Sequence, residues 1–379
     1  MNAPHPQAAR NGGESDTRKL FQPARIGDIE VANRVVMAPL TRSRADEAAG
    51  DIPGSAMNVE YYRQRSNAGL IISEGTQVSP LGKGYMATPG IYSDAQVEGW
   101  KTITRAVHEA GSRIVAQLWH VGRITHPDLT GGAHPVAPSA IQPKMIAYTR
   151  SGKVDVPQPR ELSVEDIASV VDEFRRGAAN ALRAGFDGVE IHGANGYLVD
   201  QFLRDGANQR TDEYGGSVEN RARFALEIVD AVIAEVGAGR VGIRLSPVSP
   251  FNDVADSDPQ AVFGYLVEEL NKRGIAFIHF IEGATGGPRD VPGFDYARAR
   301  KAFQGTYIAN NGYDGAAAIA AVESGKADAV SFGRLFIANP DLVQRLKHDT
   351  PLNTPNPKTF YAPGPEGYID YPTLEAIAA

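Results

Sequence analysis

The segment from Gly188 to Ser246 decides the fold: GVEIHGANGYLVDQFLRDGANQRTDEYGGSVENRARFALEIVDAVIAEVGAGRVGIRLS. It opens on a short apolar run, Gly188–Gly193, and closes on another, Val241–Ser246. Between them, Asn220–Val236 sets Phe224, Ile228, Ala231 and Val232 on one stripe at helical spacing. Strand, helix and strand in that order form the unit of a parallel sheet. The alternation continues in both directions. Arg34–Pro39 (RVVMAP), Leu70–Gly75 (LIISEG) and Arg113–Trp119 (RIVAQLW) precede it, and Phe277–Gly283, Thr306–Gly312 and Ala329–Arg334 follow, making eight strand candidates.

The intervening segments carry helix start and stop signals. Ser93-Asp-Ala-Gln96 and Ser163-Val-Glu-Asp166 read as capping boxes, and Ala184-Gly185 as a stop. Near-continuous apolar strands imply that both sheet faces are covered. The reading is an α/β fold, a closed (β/α)8 TIM barrel, with an open doubly wound sheet as the alternative. Ala24–Ala32 predicts an N-terminal β-hairpin turning at Gly27-Asp28. His120–Glu161 is a long Pro- and Gly-rich loop insertion after strand three, and His348–Tyr371 a second Pro-rich stretch; both are expected as lids or partner surfaces. Residues 20–379 read as one domain, and polar Met1–Lys19 as a tail without fixed structure and with no signal peptide.

Composition excludes several classes. The 379 residues include no cysteine, so disulfides, thiolate metal sites and cysteine nucleophiles are out. A net charge of −7 argues against a nucleic-acid partner. No run is long and apolar enough to cross a membrane, and a cytoplasmic location is expected. Gly237-Ala-Gly-Arg-Val-Gly242 matches a dinucleotide fingerprint in letters, but it leaves a helix for a strand, the wrong order for that motif. His120, His126 and His134 sit at loop spacings and are expected to be solvated rather than metal ligands.

Barrel chemistry gathers where strands end. Those ends carry Thr41, Gln117 with Trp119, His192 with Asn195, Arg244, and Gly333-Arg334. Arg244 alternates with small Gly242 and Ser246, which would put a guanidinium inside the barrel; it needs Glu190 or an anionic ligand as partner. His192-Gly-Ala-Asn195-Gly-Tyr197 gathers three hydrogen-bonding side chains at one strand end. Arg334 is open to an anionic ligand or a surface ion pair.

These residues resemble the old yellow enzyme family of FMN-dependent, N-ethylmaleimide reductase-like ene-reductases, from about Leu20 to Leu374. The resemblance is carried by His192–Leu203 (HGANGYLVDQFL) continuing as Asn208–Arg221 (NQRTDEYGGSVENR), by Ala38–Thr41, Gln117–Trp119 and Ser331–Pro340, and by Gly367–Pro372. It implies noncovalent FMN held by Pro39, Thr41, Gly75, Gln117, Arg244, Asn311, Gly312, Gly333 and Arg334. Thr41 would meet the flavin carbonyl region, Gln117 the pyrimidine edge, Arg244 the N1 side, and Asn311-Gly312 with Gly333-Arg334 the phosphate. It further implies that His192 and Asn195 bind a carbonyl or nitro oxygen, that Tyr197 protonates carbon, and that Tyr85, Trp119 and Tyr361 line the pocket. NADPH or NADH would be the reductant of α,β-unsaturated carbonyls, maleimides or nitroalkenes; nitrate esters, nitroaromatics or quinones are alternative acceptors. Thr41 and the absence of cysteine place the chain in a thiol-free branch with a His–Asn donor pair, acting on small molecules as monomer or homodimer. A hydroxy-acid dehydrogenase lacks its base here, and a mere flavin binder does not require Tyr197.

Overall fold

The structure is a computed structural model and describes residues 16–378. Eight parallel strands close into a barrel: β1 (Val35–Met37), β2 (Leu70–Gln77), β3 (Arg113–Trp119), β4 (Gly188–Gly193), β5 (Val241–Leu245), β6 (Phe277–Ile281), β7 (Thr306–Asn310) and β8 (Ala329–Phe332). They pair in sequence order, with β8 returning to β1. The alternating parity that put Arg244 on an inner face is realised. Across neighbouring strands, Arg244 is in register with His192 on one side and His279 on the other.

The barrel interior changes character along its axis. At the N-terminal end Val36, Leu70, Ile72, Val115, Phe277, Ile308 and Ala329 form an apolar cluster. The hairpin Ala24–Ile26/Ile29–Val31 plugs it with Ile26, Ile29 and Val31, turning at Gly27 with φ +58°. Phe277 fits because its neighbour is glycine: a Cβ on Gly242 would lie 2.2 Å from the Phe277 ring. One layer further, Gln117, Glu190, Arg244, His279 and Ser331 replace the aliphatic side chains. A polar layer this deep needs full hydrogen-bond satisfaction.

Amphipathic helices cover the outside. Ser93 and Ser163 each close a capping box, on Asp94–Glu109 and Val164–Arg183, and Gly185 at φ +86° ends the latter. Val164–Arg183 buries Ile167, Val170, Phe174, Ala178 and Ala181 along one stripe. The helix expected from Asn220 starts at Val218, and the Gly237–Gly242 stretch is a helix stop leading into β5.

The structure departs from the sequence reading in four places. Strand two does not end at Gly75; it runs on to Gln77 through an irregularity between Ile72 and Gly75. The insertion after β3 carries its own hairpin, Ile146–Thr149/Gly152–Asp155, and a short pairing of Val136–Ala137 with Arg160–Glu161. His120 is not solvated: it is 1% exposed, burial pushes its pKa down to about 3, and its Nδ1 accepts the Gly122 N–H. Of the tail expected over 1–19, residues 1–15 lie outside the described residues. Arg18 bonds Asp16 and the Lys347 carbonyl, and Lys19 opens a short 3-10 turn. The second Pro-rich stretch is strapped down by buried arginines. Arg42 donates to the Phe360 and Gly367 carbonyls, Arg44 to those of Thr359 and Gly364, and Tyr368 stacks on Tyr61.

Candidate active site

Gly193 ends β4, and the chain turns sharply before the helix Leu198–Leu203. The turn is made by Asn195 (φ +60°) and Gly196 (φ +69°), not by Gly193. Asparagine tolerates that left-handed conformation better than most residues, and a Cβ on Gly196 would lie 2.5 Å from the Phe251 carbonyl oxygen. Asp200, in the next helical turn, accepts the Gly196 N–H at 2.8 Å and pairs with Arg204 at 2.8 Å, both side chains buried. This clamp sets the positions of Asn195 and Tyr197.

Four rings pack into one wall. Trp119 stacks on Tyr85 at 5.7 Å and on His192 at 6.1 Å, and meets Tyr197 edge-on at 5.0 Å. The hydroxyls of Tyr197 and Tyr85 lie 3.0 Å apart. Burial, reinforced by Tyr85, raises the Tyr197 pKa well above the ordinary phenol value. Burial, then the nearby Arg244 guanidinium, hold His192 well below the ordinary imidazole value. His192 is therefore neutral. Its Nδ1 faces the Ala194 N–H at 3.4 Å and so serves as the acceptor, leaving the ring hydrogen on Nε2.

Under the His192–Arg244 layer runs a buried chain that sequence reading did not anticipate. Gln117 Nε2 donates to Glu190 Oε1 at 2.8 Å; His279 Nδ1 meets Glu190 Oε2 at 2.8 Å and its Nε2 meets Ser331 Oγ at 2.7 Å. Glu190 thus does not pair with Arg244. Arg244 Nη2 donates instead to Asn310 Oδ1 at 2.9 Å, and its buried Nε has no partner. Burial lowers the Arg244 pKa only to about 10, so the guanidinium stays charged at neutral pH. Strand parity would have placed Glu190 and His279 inside; only the closed barrel shows which partners they take.

The remaining residues of the expected set are placed as follows. Pro39 and Thr41 are half-buried beyond β1, and Gly333 follows β8. Arg334 is exposed and has no carboxylate within ion-pair distance among the described residues. Gly312 adopts φ +69° with open space where a Cβ would be. Two members also have structural tasks. A Cβ on Gly75 would lie 2.5 Å from Trp119, so Gly75 makes room for that ring. The Asn311 side chain is spent on the loop after β6, donating to the Glu282 and Ala284 carbonyls. Tyr361 is 66% exposed on the strapped C-terminal segment. No group of three or more His, Cys, Asp or Glu able to hold a metal occurs among the described residues.

The donor set suits FMN. Arg244 carries a fixed charge and an orphaned buried N–H, while exposed, acid-free Arg334 and the open backbone at Gly312 suit a phosphate. A barrel with this polar mouth suits a flavin-dependent oxidoreductase. The chain belongs to the NADH:flavin oxidoreductase / NADH oxidase family, matched over residues 19–353, and within it to the old yellow enzymes. It is 48% identical to 12-oxophytodienoate reductase 1 of Oryza sativa subsp. japonica, with 94% of each chain covered. It is 45% identical to a probable flavin mononucleotide-dependent alkene reductase of Leishmania infantum, covering 94% of this chain and 97% of that one. Among solved structures it is similar to the old yellow enzyme homologue of Zymomonas mobilis (TM-score 0.91, 46% identity, covering 94% of this chain and 100% of that one). Morphinone reductase in complex with tetrahydroNAD follows (TM-score 0.89, 46% identity, covering 94% and 97%). That family membership makes the protein a flavin-dependent oxidoreductase.

The buried histidines make the fold acid-sensitive. His120, His192 and His279 all have lowered folded-state pKa values, burial being the largest cause in each. Their unfolded values lie near 6.5, so below that pH the unfolded chain binds protons the folded one refuses. Stability is full above about pH 6.5 and is lost on acidification, by up to about 1.4 kcal/mol per pH unit for each histidine. Denaturant titrations at roughly pH 7.5 and pH 5.5 measure this; equal stability at the two would contradict the neutral assignments.

Proposed function

We propose that this site reduces α,β-unsaturated carbonyls, maleimides and nitroalkenes, with His192 and Asn195 binding the activating oxygen and Tyr197 supplying the proton. The observation that carries this reading is the convergence of a neutral His192, Asn195 and Tyr197 on one turn beside Arg244 and Gln117. FMN would be held by Pro39, Thr41, Gly75, Gln117, Arg244, Asn311, Gly312, Gly333 and Arg334, and would supply the hydride that NADPH or NADH provides. His192 Nε2–H and an Asn195 N–H draw charge from the double bond onto the substrate oxygen, making the β-carbon electrophilic. When hydride has added there, the α-carbon is basic enough to take the Tyr197 proton, and the Tyr85 hydroxyl stands 3.0 Å from the oxygen left behind. Trp119, Tyr85 and Tyr361 line the pocket. The raised Tyr197 pKa keeps the phenol protonated until that carbon is formed.

Phenolic ligands test the donor pair, since a phenolate oxygen takes the place of the substrate oxygen. His192→Ala and Asn195→Ala each weaken binding of 4-hydroxybenzaldehyde to the FMN-loaded enzyme by about 1.5–3 kcal/mol. Wild-type affinity in both would place the pocket elsewhere. The same reading has the enzyme acting in the cytoplasm as a monomer or homodimer. No described helix is long and apolar enough to cross a membrane.

A further inference from the structure

We propose that Thr285 is a positioning residue: with Ser249 behind it, it decides which end of the Asn195 carboxamide faces the substrate. The inference rests on the reading of Asn195 as a substrate donor. Thr285 comes from the loop after β6, and its Oγ1 lies 2.7 Å from Asn195 Oδ1 and 2.8 Å from Ser249 Oγ. The backbone N–H groups of Thr285 and Phe251 both point at Ser249 Oγ, at 3.1 and 3.4 Å.

Those two amides set the direction of the chain. With two N–H groups aimed at its oxygen, Ser249 is best satisfied by donating its own hydrogen, and the acceptor within reach is Thr285 Oγ1. Thr285 then passes its hydrogen to Asn195 Oδ1, its remaining side-chain partner among the described residues. The reverse amide orientation would aim an Asn195 N–H at Thr285 Oγ1, and either the Thr285 or the Ser249 hydrogen would then have no acceptor within the chain of three. An unmade buried bond is costly: Ser249 is 1% exposed. With Oδ1 committed, Nδ2 is the end left for substrate, and an amide N–H is what a carbonyl or nitro oxygen requires.

Neither partner can drift. The Asn195 backbone is held at its N–H by Ser246 Oγ and at its carbonyl by Asn252 Nδ2, each at 2.8 Å. The loop carrying Thr285 is clamped by Asn311, which bonds the Glu282 and Ala284 carbonyls and accepts the Gly286 N–H. Thr285 thus acts through Asn195 and need not touch the substrate.

The test compares Thr285→Val, which keeps the shape without the hydroxyl, with Thr285→Ser, which restores it. Each is made in the wild-type and Asn195→Ala backgrounds, and affinity for 4-hydroxybenzaldehyde is read on the FMN-loaded enzyme. Thr285→Val weakens binding roughly tenfold, Thr285→Ser stays within about twofold, and Thr285→Val has no further effect once Asn195 is Ala. An unaltered flavin absorption spectrum and melting temperature in Thr285→Val separate this from misfolding. If Thr285→Val binds like wild type while Asn195→Ala is weakened, the positioning role is wrong. The same follows if Thr285→Val weakens binding equally in both backgrounds. If Asn195→Ala itself binds like wild type, the donor reading fails first and takes this one with it.

Discussion

Tyr197→Phe slows reduction of 2-cyclohexenone by roughly 10²–10⁴-fold while leaving bleaching of the bound flavin by NAD(P)H close to wild type. The substitution removes one hydroxyl and keeps the ring that packs edge-on against Trp119 and His192. Hydride delivery to the flavin requires no protonation of carbon, so only the second half of the cycle should respond. Nitroalkenes provide an internal control. Hydride addition to them gives a stabilised nitronate, so flavin reoxidation survives and only formation of the nitroalkane lags. Stopped-flow traces at the flavin band resolve the two halves. A wild-type rate with cyclohexenone would mean that water or another residue gives the proton. The phenol works from an unusual starting point, since burial raises its pKa well above the ordinary value. The Tyr85 hydroxyl 3.0 Å away adds to that rise, and Asn252 works against it.

Asp200→Ala destabilises the protein by about 3–5 kcal/mol, because it leaves the Arg204 charge buried without its carboxylate. Both side chains are almost wholly inaccessible, at 0% and 2% exposure. The same substitution removes the acceptor of the Gly196 N–H, so the turn bearing Asn195 and Tyr197 loosens as well. Denaturant titration of the FMN-loaded enzyme measures the first effect, and affinity for 4-hydroxybenzaldehyde the second. A loss below about 1 kcal/mol would show that water reaches Arg204 and that the clamp is not a buried pair.

Local periodicity made most of the architecture readable. Each of the eight strand candidates overlaps a barrel strand, and the capping boxes at Ser93 and Ser163 are present. These signals survive because strand alternation and helix caps are satisfied within a few residues of chain. The Gly75 role was less legible. Its lack of a Cβ suggests a close approach, but sequence cannot say whether the approaching group is a cofactor or the Trp119 ring. His120 misled for a related reason. Its neighbours in sequence are loop-like, but Gly82, from a separate loop, packs against it and it is 1% exposed.

The sequence by itself determined the barrel, the strand ends at which chemistry gathers, and the inward face shared by Glu190, His192 and Arg244. It also determined the motif around His192, Asn195 and Tyr197, because a strand of known parity ending in a polar turn exposes those side chains wherever it sits. Only the tertiary structure decided the partners. Glu190 takes Gln117 and His279 rather than Arg244, Asn311 clamps a loop, and Thr285 reaches Asn195 from ninety residues away. Barrel closure brings β4, β6 and β7 to one mouth, and a hydrogen bond across that mouth depends on strand register and tilt, which no local pattern in the chain encodes.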